Sequence, residues 1–324
     1  MVYLMKFKPL SEWMAEKNSA YYKKAKPTIY DDFSTYAQSS KGLLSKANAL
    51  AFCAYAGENN RKEYNIMEIG VGNGAFAYSF LEEIRKADSK ILSKIKYFLA
   101  DFSKPILSSA EKSVSKFKNY CEITKIEFDA SNPSLPEEIS FDLIRCNELF
   151  CDLPANLYSN IEGELWKVLF DNEMKTKLVA ATSEDLDVLE QKLLFSLPQK
   201  YFISINRISA NSILSLSNHL SEKGHIDIFD YGFYFKEDFS LPPEMWNPSI
   251  VREYGGQWTV DLNFLFLTSF LAANGKNANV QRQKKYVEKI LGKKISLGGK
   301  NGLDYSEKEE EFEEEDYFYH MQVL

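Results

Sequence analysis

Three alternating glycines, Gly70, Gly72 and Gly74, follow directly on the apolar run Asn65-Ile66-Met67-Glu68-Ile69, and this junction limits the fold more than any other part of the chain. A strand that ends in glycines can turn sharply and bring bare backbone close to a ligand, which is how parallel α/β sheets receive nucleotide-like cofactors. The residues that follow, Ala75 to Arg85, have helical spacing, with Phe76, Phe80 and Ile84 on one face. Strand, glycine turn and helix together predict a parallel sheet whose ligand sits at the carboxyl ends of the strands.

The same alternation extends along the chain. Strands are expected at Asn65–Ile69, Lys96–Asp101, Glu122–Phe128, Phe141–Cys146 and His225–Asp230, with helices at Ala75–Lys86, Pro105–Phe117 and Ser209–Ser221. The fold class is therefore α/β, a doubly wound Rossmann-like sheet, with Gly70, Asp101, Asp129 and Asn147 converging at its ligand edge. Leu165 to Ala181 reads as a hairpin turning at Asp171-Asn172, followed by a helix from Ser183 to about Leu194. It lies in a substrate-side insertion at about 156–205, where added segments commonly shape a pocket. Residues 1–62 hold helical material and the aromatics Tyr21, Tyr22, Tyr30, Phe33 and Tyr36, expected as a lid on a sheet domain spanning 63–324. After Gly255-Gly256 come a short extended segment, an apolar helix to about Ala273, a helix over Arg282–Leu291 and a terminal antiparallel strand within Tyr317–Leu324.

The glycines alone leave the cofactor open, because Gly70-x-Gly72-x-x-Ala75 also satisfies the loose dinucleotide pattern. Two details favour S-adenosylmethionine: Glu68 inside the strand, and the strict Gly-x-Gly-x-Gly alternation. Asp101 ends the next strand, where a carboxylate can accept from both ribose hydroxyls, and it follows Gly70 by 31 residues against about 20 in the dinucleotide pattern. Asp129 is expected near the adenine edge. An NAD-dependent oxidoreductase is the alternative, but it lacks a His–carboxylate relay, since His225 begins a strand and His219 lies on a polar helix face.

Composition narrows the partners. With 324 residues, 45% of them hydrophobic, the chain can bury a sizeable core. Its formal charge of -7 arises wholly in the acidic run from Glu307 to Asp316, which is expected to be a solvated loop. No basic stripe suggests a nucleic-acid partner. Cys53, Cys121, Cys146 and Cys151 have no C-x-x-C spacing and the histidines number three, so no metal site is expected. The absence of a signal-type apolar segment and of any 18-residue apolar run points away from membranes and to the cytoplasm.

Several separated blocks occur in a telling order: Tyr21-Tyr22, Asp32-Phe33-Ser34-Thr35, the glycine loop, Asp101-Phe102-Ser103, Phe128-Asp129-Ala130, Asn147-Glu148-Leu149-Phe150 with Leu153-Pro154, Asp230-Tyr231-Gly232, and Thr259 to Phe264. In this order they resemble, over nearly the whole chain, the MidA family of S-adenosylmethionine-dependent methyltransferases, which includes the mitochondrial complex I assembly methyltransferase. The resemblance implies a class I methyltransferase sheet and a protein substrate modified on an arginine side chain. It adds Phe102, Ser103 and Ala130 to the cofactor-binding set of Glu68, Gly70, Gly72, Gly74, Asp101, Asp129 and Asn147. The family has Glu-Pro-Ser where this chain has Asp101-Phe102-Ser103, so a carboxylate is retained. It reads Asn-Glu-x-x-Asp-Ala-Leu-Pro where this chain has Cys151-Asp152, so Asp152 would act from the neighbouring position.

A guanidinium acceptor needs carboxylates that grip its planar fork. Glu148, at the end of the fourth strand, is the first candidate catalytic residue, with Asp230 at the end of the fifth and Asp152 beside them in the catalytic set. A catalytically silent assembly protein on the same fold is the third reading, kept open by the Cys151-Asp152 departure.

Overall fold

The computed structural model describes residues 6–24, 42–298, 304–306 and 317–324. The Asp32-to-Thr35 block, the aromatics Tyr30 and Tyr36, and the acidic run at 307–316 lie outside the described residues. The chain divides into two compact units, one of Ala25–Leu149, Ser215–Asp230 and Ala278–Leu324, the other of Met1–Lys24, Phe150–Leu214 and Tyr231–Asn277.

The first unit is the expected sheet. Its strands are β1 (Tyr64–Ile69), β2 (Ile95–Asp101), β3 (Glu122–Glu127), β4 (Phe141–Asn147), β5 (Leu220–Phe233, whose last three residues belong to the second unit), β6 (Ala278–Arg282) and β7 (Phe318–Val323). Their order is β3-β2-β1-β4-β5-β7-β6. β1 to β5 pair in parallel, and β6 runs antiparallel to β7. β1 is central and buried along nearly all of its length, which is why it reads as an apolar run apart from Asn65 and Glu68. Around the sheet lie α1 (Leu43–Asn59), α2 (Ala75–Ala87), α3 (Lys104–Ser113) and α4 (Gln283–Leu291). Phe76, Phe80 and Ile84 of α2 are buried, the face their spacing predicts. Leu44 and Ala47 of α1, Phe76 of α2, Phe229 of β5 and Val287 of α4 share one core cluster.

Three boundaries differ from expectation. β5 begins at Leu220 rather than His225, and the helix before it spans Arg207–Ser217 rather than reaching Ser221. Phe141 N–H donates to the His219 carbonyl, and Leu220 pairs with Phe141, so the sheet edge captures a serine-rich stretch that local spacing assigns to helix. α3 stops at Ser113, because Val114 leaves helical geometry (φ -97°, ψ 5°) before a short 3-10 turn over Ser115–Asn119.

The second unit carries an antiparallel sheet. Lys8–Pro9, Glu164–Phe170, Asn156–Ile161 and Ile203–Ile205 are successive neighbours, and Thr176–Ala180 pairs with Glu164–Phe170. The predicted hairpin is present, but its turn spans Asp171 to Lys175: the Asp171 side chain accepts from the Glu173 and Lys175 N–H groups. The helix after it begins at Val188 rather than Ser183, where Asp187 and Glu190 form a reciprocal capping box. Helix Leu10–Lys24, the hairpin of Val251–Tyr254 and Gln257–Val260, and helix Phe264–Ala273 complete the unit. Trp258 is fully buried, 5.8 Å from Trp13 between ring centroids.

Candidate functional site

Strand register builds the ligand edge. Ile69 pairs with Ala100 of β2 and with Cys146 of β4, so Gly70, Asp101 and Asn147 stand level on three adjacent strands. Asn147 in turn pairs with Phe229 of β5, which sets Asp230 level with Glu148.

The loop above this edge has all three glycines at positive φ: 69° at Gly70, 55° at Gly72 and 81° at Gly74. At Gly74 a Cβ would stand 2.9 Å from the Ala110 Cα and carbonyl oxygen of α3, so both conformation and space require glycine where α2 starts. A Cβ on Gly70 would come within 3.1 Å of the Leu149 side chain, so the residues after β4 lie directly beside the loop. The loop is held by its own bonds: Gly74 N–H donates to the Val71 carbonyl, Ala75 N–H to Asn73 Oδ1, and Ser113 Oγ to the Asn73 carbonyl.

Glu68 lies under this loop rather than at its rim. It is buried, accepts from the Tyr97 hydroxyl and the Ala77 N–H, and stands 3.5 Å from Arg145 Nη1. Burial raises its carboxyl above the usual range, against the lowering pull of Arg145 and Tyr97. Arg145 is itself fully buried, its guanidinium 3.7 Å from the Phe76 ring centroid and 4.0 Å from that of Phe80. The Glu68–Arg145–Tyr97 group therefore ties β1, β2 and β4 to the first turns of α2. Arg145 and Tyr97 did not emerge from the sequence as functional, although a charged residue inside the apolar run of β4 was a visible signal.

Asp101 is buried at the end of β2, and its carboxylate accepts from the backbone N–H groups of Phe102 and Ser103. Burial outweighs these bonds and pushes its pKa up to about 6. Phe102 is exposed, whereas Ser103 is buried at the start of α3. Asp129 is exposed and accepts from the Ser131 N–H and hydroxyl, closing a turn, with Ala130 buried behind it.

At the end of β4, Asn147 donates to Glu148 Oε1 at 3.1 Å, while its own Oδ1 is buried with no hydrogen-bond partner among the described residues. Glu148 has φ 48°, a left-handed backbone that is costly for a residue with a Cβ, and is pinned there by its N–H bond to the Phe229 carbonyl. Asp230 is fully buried. Asp152 belongs to the second unit, where it accepts from the Tyr22 hydroxyl at 2.6 Å. Among the described residues no three or more His, Cys, Asp or Glu are grouped to hold a metal ion, and no helix is long and apolar enough to cross a membrane.

Residues 48–245 match the model of a family described as "Putative S-adenosyl-L-methionine-dependent methyltransferase". Among solved structures, a COG1565 superfamily protein from Burkholderia thailandensis bound to S-adenosyl-homocysteine is similar over 98% of this chain and 87% of that one, with 13% identity and a TM-score of 0.67. A native structure of a COG1565 superfamily protein from the same organism gives 13% identity, the same coverage and a TM-score of 0.63. At this identity the likeness concerns the fold, a class I methyltransferase-like sheet. No curated protein matches the chain.

The residues present fit S-adenosylmethionine. Three positive-φ glycines leave a cradle free of side chains, the Asp101 carboxylate has acceptor capacity for ribose hydroxyls, and the orphaned Asn147 Oδ1 suits an ammonium donor.

Proposed function

Since this chain belongs to that family of S-adenosyl-L-methionine-dependent methyltransferases, we propose that its acceptor is a nitrogen of an arginine side chain in a protein partner. When bound, S-adenosylmethionine would supply an electrophilic methyl group, which the acceptor nitrogen would take as the methyl–sulfur bond breaks and S-adenosylhomocysteine leaves. The protein's task is alignment and exclusion of water. Gly70, Gly72 and Gly74 let backbone approach the cofactor, Asp101 grasps its sugar, and Asn147 orients its amino-acid end.

The observation that carries the acceptor assignment is Glu148. A glutamate is held in a backbone region that favours glycine, at the carboxyl end of a central strand, with a bond from Asn147 fixing one carboxylate oxygen. Strain of this kind persists where the side chain is needed. A carboxylate there can grip a guanidinium fork by charge-assisted bonds and turn one nitrogen toward the methyl group. The resemblance to the MidA family supports the same reading.

The test is incubation of purified protein with cell lysate and isotopically labelled S-adenosylmethionine, followed by mass spectrometry of the labelled proteins. Label on arginine is expected. The Glu148→Gln variant should lose about 10- to 100-fold in turnover, the worth of one charge-assisted bond, while calorimetric affinity for S-adenosylmethionine stays within about twofold. Label confined to other side chains, or undiminished turnover by the variant, overturns the assignment.

A further inference from the structure

β4 carries a cation that the preceding reading does not use. Arg145, between Ile144 and Cys146, is fully buried and stands directly opposite Glu68 of β1 in the parallel register. Its guanidinium lies against the Phe76 and Phe80 rings of α2. Among the described residues its Nη1 has two polar neighbours, the Tyr97 hydroxyl at 3.4 Å and Glu68 Oε2 at 3.5 Å, while Nε and Nη2 are buried with no hydrogen-bond partner. An arginine cannot shed its proton in a protein, so a full charge is kept here. The desolvation cost of a buried ion pair is often not recovered, and an apolar side chain of similar size would serve packing as well or better. Stability alone gives no reason for this charge.

What the charge acts on is Glu68. That carboxylate accepts from the Tyr97 hydroxyl and from the Ala77 N–H. Ala77 is the third residue of α2, and Gly74, which precedes the helix, has no side chain to cap it. Glu68 therefore does for α2 what an N-cap acid ordinarily does, and does it from the strand at the other end of the glycine loop. One carboxylate thus joins the two ends of the segment that carries Gly70, Gly72 and Gly74. It faces Tyr97 from β2, Arg145 and the Cys146 thiol from β4, and the Ala77 N–H from α2. Asp227 and Asp230 of β5 lie beyond Cys146, and Tyr286 of α4 beyond Arg145. Burial drives the Glu68 carboxyl up, and Arg145 is the foremost influence pulling it down, ahead of Tyr97 and Ala77. Burial also keeps the Tyr97 hydroxyl protonated, as a donor.

We propose that Arg145 is a positioning residue for the cofactor: it keeps Glu68 an acceptor for the first turn of α2 and so holds the glycine loop in the form that receives S-adenosylmethionine. The proposal rests on the reading of that loop as the cofactor cradle and extends the cradle to a residue two positions before Asn147.

The experiment is calorimetric titration of the full chain with S-adenosylmethionine from about pH 7 to about pH 9, above the window in which Asp101 ionises. Each variant's affinity is expressed relative to the parent's at the same pH, so that titration of the ligand's own amino group cancels. Arg145→Met should bind about tenfold more weakly near pH 7, the worth of one charge-assisted bond. Ionised Glu68 is the form that favours binding, so the variant's affinity should recover towards the parent's as pH rises and Glu68 ionises without the cation. In Arg145→Met combined with Glu68→Gln the ratio to the parent should no longer vary with pH. Should Arg145→Met not fold, Arg145→Gln carries the same expectations. A role in packing alone would lower affinity by the same factor at every pH. A pH-independent ratio or an unchanged affinity in the Arg145 variant therefore overturns the proposal, as does a pH dependence that survives Glu68→Gln. Failure of the parent protein to bind S-adenosylmethionine removes the cradle reading itself, whereas binding by the parent with a pH-independent ratio removes only the role of Arg145.

Discussion

Two buried carboxylates of the same parallel sheet have opposite surroundings. Asp227, within β5, is bonded by His320 Nε2 at 2.8 Å, Asn48 Nδ2 at 2.7 Å and Gln322 Nε2 at 3.3 Å, with His225 at 3.6 Å. His320 is stacked on Phe229 and packed against Tyr286. Burial would drive the Asp227 carboxyl up, but the charges and bonds of the two histidines outweigh it and hold the group well below the usual range. Asp101, at the end of β2, has two backbone N–H donors among the described residues, and there burial wins. An acid that belongs to the fold is fully compensated by the fold. One left under-compensated at the ligand edge marks where a ligand supplies what is missing.

Substitution tests that contrast most strongly in stability. Asp227→Ala strands the donors of His320, Asn48 and Gln322 in the core and should cost about 3–5 kcal/mol in urea unfolding. Asp101→Ala should cost under about 1 kcal/mol, because backbone N–H groups at a strand end can turn to water, yet it should abolish detectable binding of S-adenosylmethionine. Equal losses of stability would break the comparison.

The pH dependence sharpens it. On the proposed role of Asp101 the ribose hydroxyls would donate to its ionised form, so affinity for S-adenosylmethionine should rise about tenfold from pH 5 to pH 7, with a midpoint near 6, and become flat in Asp101→Asn. Without ligand the sign reverses. A carboxyl raised from 3.8 to about 6 on folding binds more protons in the folded state, so its contribution to stability declines as pH rises through that window. The smallest effect concerns Glu148. Replacing it by glycine relieves the left-handed backbone and should raise thermal stability by up to about 1 kcal/mol while transfer is lost. Lower stability in Glu148→Gly would mean that its side-chain contacts outweigh the strain.

What could be read from the sequence was what is local. The glycine loop, Asp101 and the Asn147-Glu148 pair lie at junctions where an apolar run meets turn chemistry, so both their place and their level across the sheet followed from alternation alone. The strands of the second unit were harder. Ile203–Ile205 is three residues long and its pairing with Asn156–Leu157–Tyr158 is set by tertiary contact, not by pattern. The groups that tune the acids were hidden for the same reason: Asn48 meets Asp227 across 179 residues, and Tyr22 meets Asp152 across 130. Glu68 shows the limit from the other side. Its position two residues before the first glycine suggested cofactor contact, while its partners Arg145 and Tyr97 were invisible as such in the sequence.

The bonds to Asp227 and Asp152 reach well outside the span by which this family is recognised. A recombinant piece trimmed to residues 48–245 would retain the glycine loop, Asp101 and Glu148, yet forfeit His320 and Gln322 on one acid and Tyr22 and Thr259 on the other. Such a piece would look complete by its motifs while Asp227 kept only Asn48 and His225 of the partners named above, so shortened versions are poor material for judging whether the enzyme is active.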